Sequence, residues 1–507
     1  MGGYELFYNV EGFLHRKYRD GKVLYEGDVA IKDIILSQYH NTDFENYRFA
    51  NGTTELLAIE NYYGKNNYGF DYYSRMQSTS GIDWERRFRN LINSFEKYGF
   101  DSGYPVQLAK DFAVMDGSHR IMLSWYHNME FIKAKIYKTE RDRHFNIDFF
   151  WELGFSPDEC ECIKTKTEQL LKDANYLYEG VIWPPAFELA ENILMDINNH
   201  GDGVHVVEKE TLEYRRDDFI GLFKGLYHTD ILDEEGMVYK IGLIDNCLED
   251  HDVYRIVRFK ISCSNPRMMM NPKNYMPQSE TVSRIKQWVR RRYKESIRNY
   301  EYDTIMHIAD NYLQSTFCDY LFTINRDLRD VFDGLSDYVY AVMRIKNVPS
   351  QHKDFPTEYY YRSNANILVK MESLKTFSDI IYSLLLLKYS KPWMRIERQS
   401  GDSFETIKIL IRDFMVFQFE LTSIIPGMQY KLTEDALCDV VEYRNIKILN
   451  DVYEVISRLA AYLENPSKIY HLDFVKNNRN HLKADVLLNY VEEKNKRKAE
   501  KILKSIL

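Results

Sequence analysis

Two kinds of apolar pattern divide this chain, and they predict an α+β multidomain protein with an α/β N-terminal domain, a central α/β domain and a C-terminal helical bundle. The length of 507 residues exceeds one ordinary core, and a prior of about 150 residues per domain gives roughly three. Short β-rich runs mix with helical runs up to residue 345, and beyond it apolar residues recur at three- and four-residue spacing. The expected divisions are 1–140, a helical connector over 141–204, a central domain over 205–350 and a helical domain over 351–507.

In the first division, strands are expected at 22–25, 112–115 and 132–137, with a helix over 84–98. From 146 to 199 the pattern turns helical, with Ser156-Pro157-Asp158-Glu159 as a helix start and Trp183-Pro184-Pro185 as a break. Apolar runs at 239–244, 254–261 and 304–308 read as central strands, with a helix over 282–293. Residues 351–362, with a proline and the run Tyr359-Tyr360-Tyr361, read as a linker. The stretches 370–388, 403–421, 433–463 and 481–507 read as helices of a bundle.

Composition excludes several classes. At 45% hydrophobic and 28% charged the chain resembles folded globular protein, not a disordered one. A formal net charge of -9 and a pI near 5.9 argue against a general nucleic-acid coat, which needs many cations to neutralise phosphates. Six scattered cysteines without a CxxC pair signal neither a disulfide framework nor a zinc ribbon, so a reducing cytoplasm is expected. The apolar run 380–387 is too short to span a bilayer, and no membrane insertion is expected.

The strongest chemical signal is Asp116-Gly117-Ser118-His119-Arg120. A buried strand ends at Asp116, Gly117-Ser118 makes a tight turn, and a helix opens at His119. Backbone N–H groups and the positive end of the helix dipole gather at such a turn, so an anion is its natural occupant. Glycine permits close approach of the backbone, while Asp116 is placed to cap the helix, to hold His119 or to take a catalytic proton. The plain alternative is a capped helix whose His119 and Arg120 are surface groups paired with nearby acids.

Asp-Gly-x-His-Arg between a strand and a helix resembles the ParB/sulfiredoxin superfamily, whose members bind nucleotide phosphates at this turn. Val29-Ala30-Ile31-Lys32-Asp33-Ile34 resembles the family's opening strand and loop. Trp84 to Phe95 resembles its central helix, and Tyr104-Pro105-Val106-Gln107-Leu108 the strand before the signature. The resemblance covers residues 22–138. Ser118 stands where sulfiredoxins carry a nucleophilic cysteine, which argues against sulfinic acid repair. Chromosome-partition ParB proteins carry Arg-Arg and a helix-turn-helix domain, and residues 146–345 show no clean one. The His-Arg version resembles the free-serine kinases and related small-molecule kinases.

That branch implies ATP or another nucleotide with Mg2+, held at Gly117, Ser118, His119 and Arg120. It also implies an acidic base from the early part of the domain. Glu26, Asp28, Asp43 and Glu45 lie in comparable territory, the last two in a polar loop, and Asp116 is a further candidate. The implied function is a nucleotide-dependent phosphotransferase acting on a hydroxyl of a small molecule or sugar, glycan biosynthesis included. Its central and helical domains would shape the substrate site or a homo-oligomer. The alternative is a non-enzymatic, nucleotide-gated ParB-like binding protein contacting DNA.

A second site-like place is His307-Ile308-Ala309-Asp310-Asn311, a strand ending in a polar turn that opens a helix. His307 and Asp310 are candidate metal ligands there, with Asn311 and Gln314 beside them, against a reading in which Asp310 or Asn311 caps the helix and His307 is packed. The run Arg290-Arg291-Arg292 reads as a solvated helix face or as the lining of a phosphate-bearing cleft.

Overall fold

In the strand β1 (Val23–Ala30) buried positions alternate with less buried ones, and Ala30 leads directly into helix α1 (Ile31–Gln38), whose apolar side turns inward. The computed structural model describes residues 23–38, 51–76, 83–138, 147–228, 234–248, 253–271, 276–300, 304–333, 341–343, 363–389, 394–411, 414–425, 428–443, 446–467 and 469–506. By compactness these form two units, one of residues 23–216 with 226–319, the other of 217–225 with 320–506.

The first unit continues with α2 (Asn51–Tyr62), α3 (Gly69–Met76), α4 (Trp84–Tyr98), β2 (Val106–Ala109), β3 (Val114–Asp116), α5 (Ser118–Tyr126) and β4 (Phe131–Tyr137). The four strands make one sheet in the order β1-β4-β2-β3, with β4 antiparallel to β1 and parallel to β2. Asp83 caps α4 by accepting the Arg86 N–H at 3.0 Å, and Gly99 ends it with φ +73°.

Next come α6 (Ile147–Glu152), α7 (Pro157–Ala174), β5 (Tyr178–Ile182), α8 (Ala190–Asn199), β6 (Val204–Arg215), α9 (Arg216–Tyr227), α10 (Glu234–Cys247), β7 (Val253–Cys263), β8 (Met268–Met270), β9 (Pro277–Ser279), α11 (Glu280–Tyr293), β10 (Met306–Ile308) and α12 (Tyr312–Asp333). Ser156 and Glu159 form a reciprocal capping box at α7, and Trp183-Pro184-Pro185 breaks the chain into a 3-10 turn, as the sequence suggests. A second, antiparallel sheet has the order β10-β5-β7-β6. Its apolar face packs on α8 and α11 through Ile182, Phe259, Ile193, Ile285 and Val289. The two sheets belong to one unit. Asp33 of α1 accepts the Tyr176 O–H at 2.7 Å, and Met270 N–H donates to Lys110 O at 2.9 Å.

The expected strand at 239–244 is instead the middle of α10, and the expected helical connector contains the buried strand β5. Both runs are short and apolar, a case in which periodicity does not separate strand from helix.

The second unit corrects the expected helical bundle. It contains β11 (Ala341–Met343), β12 (Ser363–Leu368), α13 (Leu374–Tyr389), β13 (Met394–Ser400), β14 (Phe404–Ile411), β15 (Phe414–Thr422), α14 (Tyr430–Cys438), β16 (Val440–Tyr443), β17 (Ile446–Leu449), α15 (Asp451–Glu464), α16 (Ile469–Asn477), α17 (Ala484–Tyr490) and α18 (Glu493–Ile506). Seven strands form a mixed sheet in the order β13-β14-β15-β12-β11-β17-β16. The expected helix over 403–421 is the β14/β15 hairpin: Glu405, Ile407 and Ile409 are buried on one strand, Phe419 and Leu421 on the other, a period of two. The expected helix over 433–463 is interrupted by the β16/β17 hairpin. Helices α14 to α18 do pack together, around Leu432, Leu459, Leu487 and Leu503. The expected linker over 351–362 lies outside the described residues.

Candidate functional site: the turn at Gly117

Gly117 joins β3 to α5 with φ +96°, in the left-handed region that disfavours side chains. A Cβ there would also lie 2.8 Å from Val106 Cγ1 and 2.9 Å from Arg120 Nη2, so both conformation and space require glycine. The first intrahelical bond runs from Ile121 N–H to Gly117 O at 3.0 Å. Among the described residues no side chain caps this N-terminus, so Asp116 is not the expected cap. An uncapped helix start presents N–H groups and the positive end of the dipole to whatever lies beyond it.

Two helices deliver the groups behind the turn. Gly69 starts α3 hard against α2: a Cβ at Gly69 would lie 2.0 Å from Leu57 O. Asn66 fixes the approach, accepting the Gly69 N–H at 2.8 Å and donating to Leu57 O at 3.0 Å. This packing sets Glu55 of α2 and Tyr73 of α3 beside the start of α5. Ser118 Oγ donates to Glu55 Oε1 at 2.7 Å, Tyr73 Oη and His119 Nε2 share a hydrogen bond of 2.7 Å, and His119 Nε2 lies 3.7 Å from Glu55 Oε1. Phe88 of α4 meets the imidazole edge to face at 4.6 Å.

The electrostatics follow from this enclosure. Glu55 is buried, and among the described residues its Oε2 has no hydrogen-bond partner. Burial raises its pKa from 4.5 to about 8, against the opposing pull of the Ser118 hydroxyl. Burial also lowers the His119 pKa to about 4, with Asp116 pulling it up and Arg120 pulling it down. At neutral pH the pair is therefore uncharged, a protonated carboxyl beside a neutral imidazole. Such a cluster holds one proton a short distance from a position suited to an anion.

Arg120 reaches along its own helix, with Nη2 3.0 Å from Asp116 Oδ2 and Nη1 donating to Tyr104 O. Asp116 is exposed and holds Arg120, so neither capping nor a bond to His119 describes it. Of the other acidic candidates, Glu26 pairs with Lys135 across β1 and β4 at 3.4 Å, Asp28 lies on β1 opposite Lys133, and Asp43 and Glu45 lie outside the described residues.

The candidate metal pair, His307 and Asp310, has other partners in the fold. His307 is buried in β10 against the Tyr227 ring at 4.9 Å, while Asp310 is paired with Lys286. Asn311 caps α12 by accepting the Gln314 N–H at 3.0 Å. Burial, with Lys286, Lys240 and Arg290 adding repulsion, drives the His307 pKa well down. Among the described residues no group of three or more His, Cys, Asp or Glu converges as a metal site. The basic residues of α11 serve the local fold. Lys286 and Arg290 donate to Ile308 O and Met306 O, covering the outer edge of β10, and Arg292 pairs with Asp196 at 2.5 Å.

Sequence reasoning missed Glu55 and Tyr73. A usable signal was Thr53-Thr54-Glu55, three polar residues that open the apolar run Leu56-Leu57-Ala58-Ile59 and are all buried. Compared with known protein families, curated proteins and solved structures, the chain matches none.

Proposed function

We propose that this chain is a nucleotide-dependent phosphotransferase acting on a hydroxyl of a small molecule or sugar, with the donor's phosphate at the Gly117 turn. The observation that carries this reading is the buried Glu55 carboxyl, hydrogen-bonded to Ser118 at the head of an uncapped helix. The resemblance of Asp116 to Arg120 to the ParB/sulfiredoxin superfamily supports it. The glycine cradle suits a phosphate, since any side chain at 117 would fill it. Asp116, exposed beside the turn, is the carboxylate suited to share Mg2+ with that phosphate. When bound, the nucleotide would supply the phosphoryl group and magnesium would neutralise its charge.

The chain's own residues then hold the anion and remove a proton. The N–H groups of Ser118 to Arg120 bind the phosphate, and Arg120, braced by Asp116, adds charge. As the acceptor oxygen bonds to phosphorus and the P–O bond to the departing nucleotide breaks, the acceptor proton passes to Ser118 Oγ while the Ser118 proton passes to Glu55 Oε1. This step requires ionised Glu55, so the rate should rise with pH toward about 8.

Thermal unfolding with magnesium and ATP, ADP, CTP or GTP tests the site. A ligand at about 100 times its dissociation constant stabilises by about 2.7 kcal/mol. The expected result is a shift with at least one nucleotide that is lost in both His119→Ala and Arg120→Ala. No shift in the wild type with any nucleotide would overturn the reading.

A further inference from the structure

A cavity of about 670 Å³ opens at the other end of α5, walled by α2, α7 and the starts of α1 and α12. Its size suits a small molecule, for which pockets run about 300–1,000 Å³. It is not the acceptor side of the Gly117 turn. From Ser118 to Tyr126, α5 climbs about 12 Å at 1.5 Å per residue, whereas reacting atoms must come within about 3.5 Å.

The wall carries three lysines and three carboxylates, and each lysine is already compensated within the wall. Lys166 pairs with Glu60 at 2.5 Å. Lys65 lies 4.5 Å above the Tyr126 ring, and Lys32 lies 5.3 Å from the centre of the Tyr312 ring. Burial lowers the Lys32 pKa, while Glu130, Asp33 and Asp173 support its charge. Gln169 donates to Asp173 Oδ1 at 2.7 Å. An ionic ligand would have to break these pairings. A hydroxyl does not, because a paired carboxylate keeps spare lone pairs and a paired ammonium or amide keeps spare protons.

The cavity also offers one unoccupied ring. Trp125 lines it half-buried, and among the described residues no ring or cation packs on its indole. Leu56 and Leu170 form a buried apolar floor. An indole face beside groups able to donate and accept in pairs matches a ligand with one apolar face and a rim of hydroxyls. We infer that this cleft is a second ligand site, specific for a neutral polyhydroxylated molecule of mono- or disaccharide size. It stands independently of the phosphotransferase reading.

Saturation-transfer NMR on the full chain tests it, with glucose, galactose, N-acetylglucosamine and maltose as neutral probes and glucuronate, glucosamine and glycine as charged ones. The expected result is saturable binding of at least one neutral sugar, weakened tenfold or more in Trp125→Ala and in Gln169→Ala. Gln169 is exposed, so that variant should fold even if Trp125→Ala does not. His119→Ala should keep the sugar signal, which separates failure here from failure at the turn. Binding of charged probes alone, binding unchanged in both cleft variants, or no binding of any neutral probe overturns the inference.

Discussion

Replacing Glu55 by glutamine should stabilise the first unit, by an amount that grows with pH. The unfolded carboxyl has an ordinary pKa of 4.5 and the folded one about 8. Between those values the folded chain holds a proton that the unfolded chain has lost, so stability falls as pH rises, by about 1.4 kcal/mol per pH unit. The penalty is absent below pH 4.5 and complete above 8; the gap of about 3.5 units sets a ceiling of about 5 kcal/mol. Glutamine keeps an oxygen for the Ser118 hydroxyl and has no such dependence. His119 acts oppositely between pH 4 and 6.5, gaining stability as pH rises, but it is present in both proteins and cancels to first order. Urea unfolding at intervals from pH 5.5 to 8 should therefore show the variant gaining about 3 kcal/mol over the wild type across the window. A constant difference between the two curves would refute the protonated, buried state assigned to Glu55.

Other substitutions test the geometry more simply. Gly117→Ala should destabilise by about 1–3 kcal/mol through its left-handed φ and the contact with Val106, read as a lower urea midpoint with unchanged slope. Gly69→Ala should push α3 from α2 at a cost of about 1–3 kcal/mol and break the Tyr73–His119 bond, visible as an altered His119 imidazole resonance in NMR. Arg258→Met leaves Glu179 buried without its 2.6 Å partner and should cost about 3–5 kcal/mol by urea unfolding at pH 8. The loss should be smaller at pH 6, where Glu179, already raised to about 7 by burial, is protonated.

The turn was legible in the sequence because its requirements are local: a strand end, a glycine and a helix start within a few residues. The capping box at Ser156 and the prolines after Trp183 were legible for the same reason. The second unit was misread because its strands hide in a composition that also suits helices. In 403–421 the residues Phe404, Ile407, Ile411, Met415 and Phe419 satisfy three- and four-residue spacing, but pairing between β14 and β15 selects the period of two that buries Ile407, Ile409, Phe419 and Leu421. Glu55 was missed because its role is non-local. It becomes a neighbour of Ser118, far along the chain, only through the packing of α2 on α5. No spacing rule connects those positions.

Among the described residues of the first unit three buried carboxyls have raised pKa values, and their surroundings separate them. Asp33, raised to about 7, accepts the Tyr176 O–H at 2.7 Å and the Tyr312 N–H at 3.4 Å, bonds that tie α1 to the segments around it. Glu179, raised to about 7, is held by Arg258 in the second sheet. Both have partners whose loss would loosen the fold. Glu55 has the highest of the three values and, among the described residues, a single hydroxyl partner on Oε1 and none on Oε2. Folding alone would be better served there by an apolar side chain, since an unpaired buried polar atom costs about 1–3 kcal/mol. By the same linkage Asp33→Asn should also gain on the wild type as pH rises toward 7, so what sets Glu55→Gln apart is that it should also suppress the proposed phosphoryl transfer. Opposite signs for stability and transfer at one residue, beside the turn proposed to hold a phosphate, would be the pattern of a group retained for chemistry.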